Sequence, residues 1–583
     1  MQVRPPPPFT LPSTIRCSRR TESRWNGRRV GSKFPVVWIR GLTTDGLQHM
    51  TSVRQPFHLT AAVAGALFFL TLHPGLTAAE DGIRPDEIQF RRQAVIRLVF
   101  DSHQNIPLSS LRPAKIIDLD LMHPEMLPSP GVKWDFKNGG LSGGSSEAAG
   151  ASMRWAGGFN PFATYDLVIR NATGDGSAGM TFLHSAKGDS LAAALQFKDG
   201  KPESITWNVQ AGGQPVMEEK WPVPAGTAMK DLTLRAQMSA VGVNLFLESN
   251  GRSELVGFSD FSQHFDLRER QRIQAMDFAV RADLKAGAQV VLAGASSCLS
   301  PGSGQADIRA ITDEEGAPLL DDGRLWFTMT VRGRALPHPL QGVFSMNPSV
   351  FDLRFEGIIV FDMDDGLLRN DLASHLFRDS KTGAWRGWTT GFSALGGAGR
   401  AEEKGILAVS SVRDPRRGFS IMKASPIGLV GAHEDPHGIY DKEAGKWRML
   451  VCEHGKKYRA GMWESDHWDR GFTRLAGPVE MDSTGTLIQK FGNQRFALFG
   501  SADRKIYIRS YPDLGPAGEL KVDLPPWNDK NGTRIWPNVI PLPEGYPAPY
   551  IALMMDRVNF PGMPKQNWTY GALYLYHGHP AKP

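Results

Sequence analysis

The chain has 583 residues, 41% of them hydrophobic and 22% charged, and this composition excludes a collagen, a coiled coil and bulk disorder. The net charge is +6, but residues 1–79 hold ten Lys and Arg against two Asp and Glu, which leaves −2 on the remainder. A nucleic-acid-binding body is therefore disfavoured. The 62 Gly and 15 Trp favour a turn-rich β protein.

The N-terminal segment has the pattern of an export signal. Arg54 precedes an apolar stretch at 59–72, and small residues follow at Ala78 and Ala79. This order is typical of a secretory signal peptide, and the stretch is shorter than the about 20 residues of a membrane-spanning helix. We predict a signal peptide at 50–79, no membrane span after its removal, and a secreted or periplasmic protein. Residues 1–49 are interpreted as a misassigned translation start or an unstructured extension.

Residues 80–305 contain short runs of alternating apolar and polar residues, separated by Gly, Asn, Asp and Pro. Runs at 163–171, 190–200 and 203–210 are examples. This spacing predicts an N-terminal antiparallel β-sandwich, interrupted by one charged, helix-like segment at 265–273. The Gly- and Ser-rich stretch 140–152 is interpreted as a loop. The sandwich is either a structural wedge or a sugar-binding module with exposed aromatic residues.

Residues 306–583 contain an internal repeat. Five polar segments each precede apolar strands, with a period near 50 residues, and such a period is the signature of a β-propeller. The markers of the five segments are Asp313, Asp371, Asp435, Asp482 and Asn538. The predicted fold is therefore all-β, with a sandwich at 80–305 followed by a five-bladed β-propeller at 306–583.

The repeat matters because the first strand of each propeller blade lines the central channel, so residues distant in sequence meet at one mouth. Acids at these positions either cap turns or take part in chemistry. Cleavage of a glycosidic bond needs one carboxylic acid to protonate the leaving oxygen and one carboxylate on the other face. The polar residues expected to bind substrate at this mouth are Asp313, His375, Glu434, His437 and Asn538.

Two of these segments resemble a known superfamily. Asn370-Asp371 and the following LASHLFRDSKTGAWRGW resemble the first acidic motif of five-bladed glycoside hydrolases, the invertase-like and arabinanase-like families 32 and 43. Glu434-Asp435-Pro436 with HGIYDKEAGKWRML resembles their second motif, and 479–485 is similar to their third. A sandwich before such a propeller also resembles the pectin-degrading family 143.

The resemblance implies roles for four acids. Asp371 would be the nucleophile or general base, and Asp435 the transition-state stabiliser that also adjusts the pKa of the acid. Glu480 or Asp482 would be the general acid. The chain departs from the families at Leu372, where they have Pro, and at Glu434, where they have Arg.

The expected function is an exported glycoside hydrolase that acts on plant or algal polysaccharide. An acidic pectic sugar is one candidate substrate, since Arg534 and Arg557 could pair with its carboxylate. No cofactor is expected, although a structural cation in the channel is compatible with the fold. The alternative is a non-catalytic glycan-binding propeller. Carbohydrate is the expected partner in both cases, and nucleic acid is not.

Overall fold

The computed structural model describes residues 83–111, 125–127, 132–137, 140–146, 148–184, 186–264, 266–332, 339–395, 402–523, 536–555 and 572–581. Strands dominate these residues, so the predicted all-β class is confirmed. The one α-helix in the described ranges, Arg270–Gln274, overlaps the segment 265–273 that was predicted to be helix-like. Short 3₁₀ turns occur at Pro85–Glu87, Ser102–Gln104, Leu108–Ser110 and Phe392–Leu395. Over the described ranges, no helix combines the length and apolarity needed to cross a bilayer.

Two antiparallel sheets form the predicted sandwich. The seven-stranded sheet has the order Gln214–Pro222, Lys201–Ala211, Asp189–Lys198, Gly176–His184, Asp277–Leu284, Gly150–Gly158 and Glu125–Leu127. The eight-stranded sheet has the order Arg252–Asp260, Gly242–Ser249, Leu232–Met238, Thr164–Thr173, Gln289–Leu299, Gly140–Ser145 and Val132–Lys137, and Ile106–Pro107 pairs with Gln289–Leu299.

Alternation along each strand explains why these segments form a sandwich. In Asp189–Lys198 every second residue is buried, with Leu191 and Leu195 in the core and Ser190 and Ala194 on the outer face. Successive side chains of a strand point to opposite faces, so one face packs against the other sheet.

The stretch predicted as a loop at 140–152 is instead largely strand, with Gly140–Ser145 and the start of Gly150–Gly158. The reason is close packing rather than flexibility. A Cβ at Gly143 would lie 2.7 Å from the Trp134 ring of the neighbouring strand, so only glycine fits beneath this indole.

Five four-stranded blades follow the sandwich, as predicted from the repeat. From the innermost strand outward, blade 1 is Gly304–Ala310, Arg324–Arg332, Leu340–Met346 and Arg354–Asp362, and blade 2 is Leu372–Arg378, Trp385–Thr390, Gly405–Ser411 and Gly418–Val430. Blade 3 is His433–Asp441, Lys446–His454, Tyr458–Ser465 and Thr473–Ala476. Blade 4 is Thr484–Phe491, Gln494–Gly500, Ile506–Ser510 and Pro516–Glu519, and blade 5 is Asn538–Pro541, Tyr550–Met555, Leu573–Pro580 and Ile88–Ile96.

Short strands supplement the blades. They are Thr312–Asp313, Leu320–Asp321, Leu368–Arg369 and Lys521–Val522. The outer strands of blades 1 and 2 pair in parallel, so these two blades share one continuous sheet.

The N-terminal strand Ile88–Ile96 closes the ring of blades. It pairs antiparallel with Leu573–Pro580, so the first and last described strands of the chain lie side by side in blade 5. This differs from the predicted boundary, which placed all of 80–305 in the sandwich. The pairing gives blade 5 its fourth strand and covers the outer edge of Leu573–Pro580.

One hydrophobic core joins the sandwich to the propeller. It runs from Leu167 and Phe182 of the sandwich to Phe327 of blade 1 and Ile551 of blade 5. The sandwich is therefore packed against the blades.

The channel has two distinct ends. Thr312–Asp313, just beyond the inner strand of blade 1, pairs in parallel with Phe377 and Arg378 at the end of the inner strand of blade 2. We call this the far end of the channel, and the end at which the inner strands begin is the entrance.

Candidate active site at the channel entrance

Four inner strands carry the same irregularity near their start. The pairing register breaks between Ala306 and Arg309 in blade 1, and at the corresponding step in blades 2, 3 and 4. Within each break one residue has a left-handed backbone: Asp307 (φ 53°), Ala373 (φ 56°), Asp435 (φ 57°) and Gly485 (φ 63°). Such a bulge turns a side chain out of the strand's normal alternation, and bulges are common beside active sites. These four residues are therefore structurally equivalent.

Asp435, at the bulge of blade 3, is the most perturbed acid of the entrance. It is 6% exposed, and its Oδ2 accepts from the Gly485 amide at 3.3 Å and lies 3.7 Å from the Cys452 sulfur. Burial, together with repulsion from Asp307 and Glu434, raises the pKa of Asp435 to about 7. Asp435 is thus a carboxyl group that holds a proton close to neutral pH.

Asp307, at the equivalent bulge of blade 1, is an acid that the sequence analysis missed. It is 5% exposed, and its amide donates to the Met555 sulfur at 3.2 Å. Its negative charge contributes to the raised pKa of Asp435, so the two acids are near enough to interact electrostatically. The sequence repeat was aligned on Asp313, six residues later.

Below the bulges, the next channel-facing positions hold Arg309, His375 and His437. Arg309 is fully buried, donates to the Asp435 carbonyl at 3.1 Å and to the Thr486 carbonyl, and lies over the Trp536 ring with 5.0 Å to its centroid. This guanidinium fixes the backbone of Asp435 from below.

The two histidines stack on each other with 4.0 Å between ring centroids. Burial lowers the pKa of His375 to about 3 and lowers that of His437 as well. Their Nδ1 atoms accept from the amides of Gly438 and Ile488, each at 3.3 Å. Both rings are therefore neutral. The sequence predicts that both histidines bind substrate, and the structure places them, buried, in the channel beneath the bulges.

Asp371 lies at a different step of its strand, two residues before the bulge residue Ala373. It is fully buried, and its Oδ1 accepts from the amide and hydroxyl of Ser393 at 2.9 and 2.8 Å. Its Oδ2 has no hydrogen-bond partner among the described residues. Burial raises the pKa of Asp371 to about 6.

Asp371 also lines a cavity of about 580 Å³ in blade 2 whose described walls include Arg369, Ile406 and Pro426 and do not include Asp307 or Asp435. The sequence repeat placed Asp371 and Asp435 at equivalent positions. The register of the two strands shows instead that Ala373 is the counterpart of Asp435.

The two acids expected to act as general acid lie at the rim of the entrance. The Glu480 side chain is 92% exposed and accepts from Arg459 at 2.7 Å. Asp482 accepts from the Ala502 amide at 2.8 Å. Both stand ahead of the inner strand of blade 4, and Glu480 is in contact with solvent.

Of the residues expected to bind substrate, Glu434 forms an ion pair with Lys404 next to Asp435. Asn538 is buried at the start of the inner strand of blade 5, and its Nδ2 has no partner in the described part of the chain. Arg534 and Arg557 lie outside the described residues.

Asp313 does not belong to this entrance, contrary to the sequence-based expectation. It lies at the far end, where its Oδ1 accepts from the amides of Glu315 and Ala317 at 3.0 and 2.8 Å. The inner strand of blade 1 begins at Gly304, so Asp313 follows this strand instead of preceding it. It caps a turn.

A metal centre is not indicated by the side chains at hand. Within the described ranges, no group of three or more His, Cys, Asp or Glu residues is arranged to hold a metal ion.

Comparison with known proteins finds similarity in structure only. No protein-family model and no curated protein matches the sequence. Similar solved structures include the carbohydrate-binding module CBM66 from Bacillus subtilis, with 16% identity over 30% of this chain and 99% of the module and a TM-score of 0.21. A thermostable family-43 glycoside hydrolase matches with 12% identity over 47% of this chain and 88% of the hydrolase, at a TM-score of 0.31. The laminarinase catalytic domain from Thermotoga maritima matches with 9% identity over 30% of this chain and 81% of that domain, at a TM-score of 0.21. These TM-scores are low, so the site is interpreted from its own residues.

Proposed function

We propose that this protein is an exported glycoside hydrolase that cleaves plant or algal polysaccharide at the channel entrance. One observation carries the proposal: Asp307 and Asp435 occupy equivalent left-handed bulges of blades 1 and 3, and the charge of Asp307 helps to raise the pKa of Asp435. Glycosidic cleavage uses two carboxyl groups of which one is protonated, and repulsion within a buried pair supplies that difference.

In the proposed reaction Asp435 is the general acid. With a pKa of about 7 it carries the proton that passes to the glycosidic oxygen as the bond to the anomeric carbon breaks. Asp307 is the carboxylate that attacks the anomeric carbon or removes a proton from the attacking water. Asp307 takes this role instead of Asp371, since Asp371 lines the separate cavity of blade 2.

Substrate would enter past the rim acids Glu480 and Asp482 and meet Glu434, next to Asp435, and Asn538 at the start of the inner strand of blade 5. The proposed substrates include an acidic pectic sugar whose carboxylate would pair with Arg534 or Arg557, two residues outside the described ranges.

The purified protein would be incubated with a panel of neutral and acidic plant polysaccharides, and released sugars identified by mass spectrometry. Asp435→Asn should lower the rate by about 10²- to 10⁴-fold, the usual contribution of a general acid. Asn tolerates a left-handed backbone and can still accept from Gly485, so the fold is preserved. Asp466→Asn, at an exposed acid of the same blade, is the matched control and should keep the wild-type rate.

Glu480→Gln separates this assignment from the one that the family resemblance implies. If Glu480→Gln lowered the rate while Asp435→Asn stayed active, the general acid would be Glu480 at the rim. If no polysaccharide gave a product but one of them bound measurably, the protein would be a glycan-binding propeller and not a hydrolase.

A further inference from the structure

The sandwich has a second groove, on the outer face of its seven-stranded sheet and separate from the channel. Its volume is about 220 Å³. The floor is low because outward positions of adjacent strands carry very small residues: Gly179 pairs with Ala194, and Thr181 with Ala192. A Cβ at Gly179 would lie 2.1 Å from the Ala193 carbonyl oxygen, so close strand packing maintains this depression.

Two hydroxyl side chains line the groove. They belong to Ser177 and Thr181, and each residue is 6% exposed. A hydroxyl group can both donate a hydrogen bond to and accept one from a ligand that enters the groove.

The rim provides donors and acceptors in balance. Arg281 forms a two-bonded pair with Asp283, both bonds at 2.8 Å, and the two side chains are 40% and 41% exposed. Asn208 and Gln210 line the groove as well. Because the guanidinium is already neutralised by the carboxylate, the rim presents no net charge to a ligand.

We propose that this groove binds a neutral saccharide, independently of the channel entrance. Sugar hydroxyls both donate and accept, which matches Ser and Thr hydroxyls beside a charge-balanced Arg–Asp pair and amide side chains. The volume is below the about 300–1,000 Å³ typical of sites for drug-sized ligands, and it suits a single sugar ring of a longer chain. The sandwich would thus hold polysaccharide at a second point.

Affinity electrophoresis of the full-length protein would test this proposal. The gels would contain dextran, inulin, xylan or galactan as neutral probes and polygalacturonate as an acidic probe. Retardation is expected with at least one neutral polysaccharide. Ala194→Trp, which places an indole over Gly179, should abolish that retardation, and Ala444→Trp, at an exposed turn of blade 3, should not.

A milder variant guards against misfolding of Ala194→Trp. Ser177→Ala combined with Thr181→Val removes both hydroxyls at nearly constant volume, and it should weaken binding about tenfold or more in titration calorimetry, as for the loss of two ordinary hydrogen bonds. Unchanged affinity in both groove variants, or no retardation of the wild type by any neutral probe, overturns the proposal. Retardation by polygalacturonate alone also overturns it, since the groove would then recognise charge.

Discussion

The two ends of the channel each carry a cluster of acids, and they differ in how those acids are partnered. At the far end, Asp313 caps a turn, Glu314 accepts from the Ser380 amide at 3.0 Å, and Glu315 pairs with Lys442 at 2.5 Å. At the entrance, Asp435 is buried beside the charge of Asp307. The number of acids therefore does not define a site, whereas burial and repulsion between acids do.

The largest expected effect is on the hydrolysis rate. It should separate two acids of blade 1 that lie six residues apart, Asp307 and Asp313. Asp307→Asn should lower the hydrolysis rate by about 10²- to 10⁴-fold, since it removes the base or nucleophile of the acid pair. Asp313→Asn should keep the wild-type rate, because an Asn oxygen can still accept from Glu315 and Ala317. Initial rates with the active polysaccharide measure both. Equal rates in the two variants would contradict the distinction between the ends.

The sequence predicted much of the fold and one of the two entrance acids, and it missed the other. The alternation of apolar residues predicted the sandwich strands, and the period near 50 residues predicted five blades. Asp435 was found because its motif was explicit. Asp307 was missed because the polar run around Asp313 is more conspicuous, although that run follows the inner strand.

A usable signal for the entrance did exist. The bulge residue is small or acidic, and the second residue after it is Arg309, His375 or His437 in three successive blades. The closing strand Ile88–Ile96 had no such signal, because one strand without a repeat does not show its partner more than 400 residues away. Long-range pairing is set by the complete ring of blades and not by local sequence.

A second test compares the two ends of a single strand, His433–Asp441. Burial raises the pKa of Asp435 to about 7, whereas Asp441, despite its burial, has a lowered pKa because Tyr511, the Ala444 amide and Arg448 stabilise its charge. The free energy of unfolding should therefore fall as pH rises from about 4 to 7 on account of Asp435, and fall as pH drops below about 4 on account of Asp441.

The melting temperature of two variants between pH 3 and pH 9 measures these opposite signs. Asp435→Asn should be stabilised relative to wild type at pH 8 by a few kcal/mol and should match it near pH 4. Asp441→Asn should be destabilised at pH 8 and approach the wild type at the acid end. If both variants changed the melting temperature in the same direction at pH 8, ionisation of Asp435 would not destabilise the fold.

The smallest expected effect concerns the exposed pair Glu315 and Lys442 at the far end. Glu315→Gln removes one charge of a pair whose lysine side chain is 71% exposed, and solvent and salt screen such pairs. The melting temperature and the hydrolysis rate should both stay at wild-type values, in low salt and at about 0.5 M NaCl alike. If Glu315→Gln lowered the rate in low salt, charge at the far end would act on the entrance through the channel. The buried layer of Arg309, His375 and His437 would then fail to separate the two ends electrostatically.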